Sequence, residues 1–250
     1  HDAAGNTVAV GASTSMGNGT ANDGIVYTTR IENVTELSMA FKGINDLTGI
    51  EDFTALPILD FPLNNITSLD LSNNLLLLSL NAVSNNLQSL DVSNNTLLGS
   101  LVVSNNNIQS LDLSNNSGLV SIVVSNNALT FLNIQNGSNI NFTEFIATQN
   151  PDLTCINVDD ETASYLSNTS IWNKDTTAIY GIHCDETFIA DANFENYLET
   201  HDANGNMVPL NDPTSMGNGI ANDNYVTTAN SNTVTSLDVR SLGITDLTGI

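Results

Sequence analysis

The chain has 250 residues, of which 27 are Asp or Glu and only 4 are Lys or Arg, so its formal net charge is −23. This charge argues against nucleic acid and anionic membrane surfaces as partners and favours cations. The alternative is that the charge serves only solubility. The hydrophobic fraction of 40% is enough for a folded core. The sequence contains no run of 18 apolar residues, so it does not predict membrane insertion of this segment.

The two ends of the chain resemble each other. Residues 1–50 and 201–250 are identical at 27 of 50 positions without a gap, and both contain the string TSMGNG. Similarity of this extent indicates tandem units with a period of about 200 residues. The sequence then predicts four segments. They are an N-terminal cap that lacks its leading helix (1–33), a solenoid (34–150), a C-terminal cap (151–184) and the helix, cap and first coil of an incomplete next unit (185–250).

The middle of the chain has a shorter repeat. The strings ITSLDLSNN, LQSLDVSNN and IQSLDLSNN begin 21 residues apart at positions 66, 87 and 108, and a second series of SL-type strings lies between them. Alternate residues of a strand face opposite sides, so each string predicts a five-residue strand with leucines inward and Ser and Asp outward. One turn cannot bury its leucines alone. Stacked turns therefore predict a mainly β, flattened solenoid with short parallel strands on two faces and few short helices.

The paired asparagines should turn the chain, because Asn tolerates left-handed backbone and bonds neighbouring main chain. Stacking would place Asn74, Asn95 and Asn116 above one another as an amide ladder.

The string LPILDFPLNNI at 56–66 resembles the leucine-rich repeat template L-x-x-L-x-L-x-x-N-x-L. The two-halved 21-residue turn is similar to a nested-period subclass of bacterial surface proteins, and INDLTGIEDFTAL at 44–56 resembles the entry coils of internalin-like repeats. Similar units with caps occur in large secreted surface proteins of Bacteroidota-type bacteria. The resemblance implies a leucine-rich-repeat solenoid capped at both ends, an extracellular or cell-surface location, and binding through the solenoid surface.

The C-terminal cap contains the two cysteines, Cys155 and Cys184. One widely spaced pair in an acidic, lysine-poor chain predicts a disulfide in an extracytoplasmic protein, and two buried free thiols are the alternative. Trp172, Tyr165 and Tyr180 are expected to roof the last coil, with an aromatic ligand site as the alternative. The helix that restarts the array should begin after Asp191, which can cap it, in the string DETFIADANFENYLET.

The string HDANGN places Asp202, Asn204 and Asn206 at alternate positions around a glycine. That spacing lets three oxygens converge on calcium, as in the first half of a calcium loop, and Asn222 and Asp223 could add ligands. The corresponding residues of the first copy are Asp2, Asn6, Asn22 and Asp23. An Asx-rich turn held by its own hydrogen bonds is the alternative interpretation.

A second candidate is a column of aspartates, Asp70, Asp91 and Asp112, at the same outward position of successive turns. At strand spacing, neighbouring carboxylates repel by about 0.9 kcal/mol in water. With its flanking serines the column could bind cations, an extracellular glycan or a basic protein, or be a solvated strand face. Val102 and Val123 should face outward on the opposite side, where an apolar stripe favours packing against another chain.

No nucleophile, zinc-protease or phosphate-loop motif is present in the sequence, and no catalytic residue is assigned. The sequence therefore predicts a non-enzymatic extracellular tandem-repeat protein, a rigid unit of a long cell-surface adhesin or extracellular filament whose partners are neighbouring units or copies of itself. The alternative is a recognition module that binds a glycan or protein through its Asp and Ser strand face.

Overall fold

The structure is a computed structural model that describes residues 16, 26–184 and 186–247. The chain divides into two compact units, residues 1–182 and 183–250. Nearly all of the N-terminal cap predicted at 1–33 lies outside the described residues, and its described end contains a single helical turn, α1 (Thr28–Ile31).

The wider face of the first unit is a parallel sheet of seven strands. Numbered in chain order, its strands are β1 (Glu36–Ser38), β2 (Ile58–Asp60), β3 (Ser79–Asn81), β4 (Ser100–Val102), β6 (Ser121–Val123), β8 (Glu144–Ala147) and β10 (Trp172–Lys174). Ser79 pairs with Ser100, and Ser100 with Ser121, so each turn brings the same repeat position back to the same place.

The narrower face carries a parallel sheet of four strands. These are β5 (Ser110–Asp112), β7 (Phe131–Asn133), β9 (Cys155–Asn157) and β11 (Ile179–Gly181). Short 3-10 turns lie at Ile50–Asp52, Asn139–Asn141 and Ser164–Ser167. The first unit is thus a leucine-rich-repeat solenoid, mainly β, with parallel strands on two faces, as the sequence predicts.

The strands of the narrower face are shorter than the predicted five residues. In β5 the carboxylate of Asp112 accepts the main-chain N–H of Ser114, which ends the strand after three residues. The equivalent segments 68–72 and 89–93 have the same Asp-to-Ser bond and form no strand ladder. The side chain therefore takes an N–H that strand pairing would otherwise use.

The core runs the length of the first unit as columns of apolar side chains. Leu59, Leu80, Leu101, Ile122 and Phe145 are paired in register and fully buried. On the narrower face Leu71, Val92 and Leu113 are buried as predicted, while Leu69 is only partly buried. Since each column continues through every turn, the turns bury one another's leucines.

Asn74, Asn95 and Asn116 are stacked and fully buried, but the predicted bonding between their amides is wrong. The Nδ2 group of Asn95 donates instead to the carbonyls of Leu71 (3.1 Å) and Asn74 (2.9 Å) in the preceding turn. These two carbonyls also accept the N–H groups of Asn74 and Leu77, so the Asn95 amide is the second donor to each and ties its turn to the preceding one.

A second asparagine column, which the sequence analysis missed, lies at the other edge of the solenoid. Asn85 donates to the carbonyls of Phe61 and Ala82 and accepts the N–H of Ile66. The members of this column are Asn64, Asn85, Asn106, Asn127 and Asn150. Each amide ties one turn to the next.

The second unit is built on one helix, α2 (Ala192–Glu199). The Asp191 side chain accepts the N–H groups of Asn193 and Phe194, so it caps the helix as predicted. An antiparallel pair, β12 (Glu186–Phe188) and β13 (Tyr225–Thr227), and a short helix α3 (Thr228–Ser231) complete the unit. Its small core contains Ile189, Phe194, Leu198, Met216 and Val226.

Candidate functional site

The aspartate column lies on the narrower face of the first unit. Asp70, Asp91 and Asp112 are all exposed, and each Oδ1 accepts the N–H of the serine two residues later, at 2.9 to 3.0 Å. These bonds hold the three carboxylates in a fixed orientation at the surface.

The charge state of this column follows from its bonds. The hydroxyl and N–H of Ser72 lower the pKa of Asp70, and those of Ser93 lower the pKa of Asp91. The negative charge of Asp70 acts in the opposite direction and raises the pKa of Asp91. The two carboxylates therefore lie within electrostatic range of each other. Asp70 and Asp91 are therefore ionised at neutral pH and present negative charge on this face.

Two shallow pockets adjoin the column at the start of the solenoid. One is lined by Asp46, Glu51 and Asp70 and the other by Asp70 and Asp91, and Leu69 lines both. Asp46 is held by the N–H and hydroxyl of Thr48, which lower its pKa. The two pockets thus extend the acidic strip and suit a basic ligand.

The wider face differs in character. Val102, Val123 and Ile146 are partly exposed neighbours in register on β4, β6 and β8. Ser121 beside them donates to Glu144 at 2.8 Å. The apolar stripe predicted from two valines is therefore three residues long.

The residues predicted to bind calcium fall into two groups. Asp202 accepts the N–H groups of Asn204 (2.9 Å) and Asn206 (2.8 Å) and the amide of Asn206 (2.9 Å), which forms a turn and lowers the pKa of Asp202. Asn222 and Asp223 instead donate their N–H groups to Glu195. Within 186–247 no hydrogen bond connects the two groups. The first-copy residues Asp2, Asn6, Asn22 and Asp23 lie outside the described residues.

The second copy of TSMGNG forms a cradle for a carboxylate. Glu199 of α2 is fully buried, and its two oxygens accept the N–H groups of Asn218 (2.6 Å) and Gly219 (2.8 Å). A Cβ at Gly217 would overlap the Glu199 carboxylate, and Gly219 has a φ of 88°. Both glycines are therefore required by this contact.

Glu195 lies one helical turn before Glu199 and is also fully buried. Its Oε1 accepts the N–H groups of Asn222 (2.7 Å) and Asp223 (3.3 Å), whereas its Oε2 is buried without a hydrogen-bond partner. Burial raises the pKa of Glu195 and of Glu199. The sequence analysis missed both residues, because the loop that receives them is about 20 residues away in the chain.

The roof of the solenoid is a stack of aromatic rings, as predicted. Trp172 is buried, with its ring centroid 5.0 to 5.7 Å from those of Phe142, Phe145, Tyr165 and Tyr180. Burial raises the pKa of Tyr180 to about 12. These rings close the apolar core by packing on one another.

Cys155 and Cys184 are joined in a disulfide, as predicted. Among residues 16, 26–184 and 186–247, no three His, Cys, Asp or Glu side chains are grouped as metal ligands. In the same part of the chain no helix is long and apolar enough to cross a membrane.

No protein-family model and no curated protein matches the chain. Several solved structures are similar to it. The functional domain of InlJ from Listeria monocytogenes, described as including a cysteine ladder, is 28% identical over 63% of this chain and 38% of its own, with a TM-score of 0.48.

Two further structures have lower scores. The LRIM1/APL1C complex is 24% identical over 52% of this chain and 24% of its own, with a TM-score of 0.43. The internalin InlF from Listeria monocytogenes is 21% identical over 60% of this chain and 49% of its own, with a TM-score of 0.40. The chain thus spans between a quarter and a half of each of these proteins, and its fold is assigned from the geometry of its own solenoid.

Proposed function

We propose that the chain is part of a non-enzymatic, extracellular tandem-repeat protein in which each leucine-rich-repeat unit is a rigid element of a long cell-surface adhesin or filament. The proposal rests on two observations. The core of the first unit is uninterrupted, and a sequence similar to residues 1–50 recurs at 201–250. A disulfide fits an oxidising, extracytoplasmic location.

The second unit supports the tandem arrangement. In the first unit Val34 is buried, and the neighbouring strand β1 pairs with β2. The equivalent Val234 is only partly buried and lines an open apolar groove. A coil equivalent to residues 51–66, whose strand β2 pairs with β1 in the first unit, would cover Val234.

An in-register graft tests this arrangement. Residues 51–182 are joined after Ile250, where the match of 1–50 with 201–250 sets the register. We expect the amides of 236–238 to become as protected from hydrogen exchange as those of β1. A control graft with one extra residue at the junction reverses every side chain of the added strand and should give no protection. Equal exchange in both grafts would refute the tandem arrangement.

The extracellular location is tested on the source cells. The chain contains 27 acidic but only 4 basic residues, so a protease that cleaves after Glu is the suitable probe. Peptides from this chain should be released from intact cells. Their release only after lysis would refute the location.

We propose recognition through the aspartate column as a second function, because three fixed carboxylates on one face form a regular strip of charge. The LRIM1/APL1C structure, a complex of two proteins, shows no more than that a similar fold can belong to a protein assembly. The occupant best suited to the strip is a protein surface rich in Lys and Arg.

The test is a binding screen against basic proteins and a glycan array. A variant with Asp70, Asp91 and Asp112 changed to Asn should lose binding at least tenfold, and binding should weaken with salt. Asp152→Asn, an exposed charge elsewhere, is the control. Binding that survives the triple change would refute recognition by the column, and a glycan hit lost in the variant would identify a sugar instead of a protein.

We also propose calcium as a cofactor of the Asp202 turn, whose oxygens have the spacing of half a calcium loop. Chelator should lower the melting temperature of the second unit if this holds.

A further inference from the structure

The buried face of α2 contains two glutamates whose carboxylates have different surroundings. Both oxygens of Glu199 receive main-chain N–H groups from the 217–219 cradle. Glu195 receives N–H groups only at Oε1, and its Oε2 is enclosed by protein without any partner. An ionised oxygen enclosed in this way is costly unless a proton or a cation binds it.

The described part of the second unit offers no basic side chain to Glu195. Arg240 is exposed and pairs with Asp238, and His183 pairs with Glu186. His201 stacks on Tyr197, with its Nδ1 2.9 Å from the carbonyl of Tyr197. In the described part of the second unit, therefore, no basic side chain neutralises Glu195, and a bound proton or cation would have to do so.

Asp223 adds a second carboxylate beside Glu195. Its charge acts on both Glu195 and Glu199, and its oxygens accept the N–H of Tyr225 and the amide of Asn218. These bonds fix the Asp223 carboxylate while leaving each oxygen a further lone pair. Asn218 also bonds Glu186, so four acidic side chains are connected around this loop.

We propose that Glu195 Oε2 and Asp223 form a site for a hard divalent cation of the calcium class, with the remaining ligands supplied by amide and main-chain oxygens of the 217–223 loop and by water. The proposed site uses only two carboxylates, and among the described residues no three His, Cys, Asp or Glu side chains are grouped as metal ligands. Calcium accepts such mixed oxygen ligands. The site is separate from the Asp202 turn, whose carboxylate accepts three hydrogen bonds within its own turn.

Hydrogen exchange of the loop amides tests the proposal on the full chain, with calcium chloride as the probe after treatment with chelator. The reporters are the amides that bond the two glutamates, those of Asn218, Gly219, Asn222 and Asp223. At calcium a hundredfold above its dissociation constant, we expect their protection to rise about 100-fold.

Glu195→Gln is the decisive variant, since it keeps the Oε1 acceptor and removes the charge. Calcium should leave its loop amides unchanged, whereas the remote Asp152→Asn should respond like the unaltered protein. Should Glu195→Gln not fold, Glu195→Asp keeps the charge but withdraws the oxygen, and calcium affinity should fall at least tenfold.

Two results would overturn the site. They are a calcium response that persists in Glu195→Gln and no response in the unaltered protein. In the second case, protection of the loop amides that rises as the pH falls in the unaltered protein, but not in Glu195→Gln, would identify a bound proton as what neutralises Glu195.

Discussion

At the scale of single residues, one left-handed position recurs from turn to turn of the solenoid. The φ values at this position lie between 54° and 61°. The residues are Phe41, Leu63, Ser84, Asn105, Asn126 and Gln149. Left-handed backbone costs most L residues about 1–2 kcal/mol, and asparagine is among the few that adopt it readily. Leucine is therefore a poor choice at position 63.

Changing Leu63 to Asn should stabilise the first unit by about 0.5–1 kcal/mol, because the relief of backbone strain exceeds the loss from a side chain that is 43% exposed. Denaturant unfolding followed by Trp172 fluorescence measures the change. Leu76→Asn is the matched control, since Leu76 is 50% exposed but not left-handed. If both variants are equally stable, backbone strain at Leu63 is not the cause.

At Asn95 we expect the opposite effect, a loss of stability on substitution. Replacing it by Leu removes the second donor from each of the buried carbonyls of Leu71 and Asn74, which keep the N–H groups of Asn74 and Leu77, at a cost of about 1–3 kcal/mol. The exposed neighbour Asn94 provides the control, because Asn94→Leu removes no such bond. The same unfolding measurement compares the two, and a loss below about 0.5 kcal/mol in Asn95→Leu would contradict the role of the ladder.

At the scale of elements, the sequence predicts what periodicity controls. Buried leucines such as Leu113, the helix α2 and its cap Asp191 all follow from spacing and local bonding. The burial of Glu195 does not, because it depends on a loop brought close only by the fold. The three-residue strands and the bonding of Asn95 were also missed, since in both cases side chains compete for main-chain groups.

Asp191 connects the start of α2 to the first coil of the second unit. Its Oδ2 accepts the N–H (2.7 Å) and hydroxyl (2.9 Å) of Thr245. The Thr245 N–H is the main cause that lowers the pKa of Asp191 to about 2. A folded-state pKa below the unfolded value means that Asp191 stabilises the unit above about pH 4, and that this contribution is lost as the pH falls toward 2.

Asp191→Asn should therefore lower the stability of the second unit at pH 7 and flatten the decline of that stability between pH 4 and 2. Protection of α2 amides from hydrogen exchange, compared at pH 7 and between pH 4 and 2, measures both effects. A variant with the same acid slope as the unaltered protein would show that Thr245 does not set this titration.

At the scale of the whole molecule, the solenoid is stabilised turn by turn, and its last turn needs a closure. The aromatic stack on Trp172 belongs to this end of the first unit, and Cys155 there is bonded to Cys184, two residues past the unit's end in the sequence. Terminal turns of repeat proteins open first, because they have one neighbour instead of two. Constraint at this end should therefore affect the stability of the whole stack.

Replacing both cysteines by Ser should destabilise the unit by about 3–4 kcal/mol, the chain-entropy cost of a loop of this length. Trp172 lies within the closed loop and is the only tryptophan, so its fluorescence reports the unfolding of this end directly. Reductant should lower the stability of the unaltered protein to that of the double variant and leave the variant unchanged. If Trp172 reports the same midpoint with and without the bond, the aromatic stack alone closes the solenoid, and the disulfide contributes nothing to its stability.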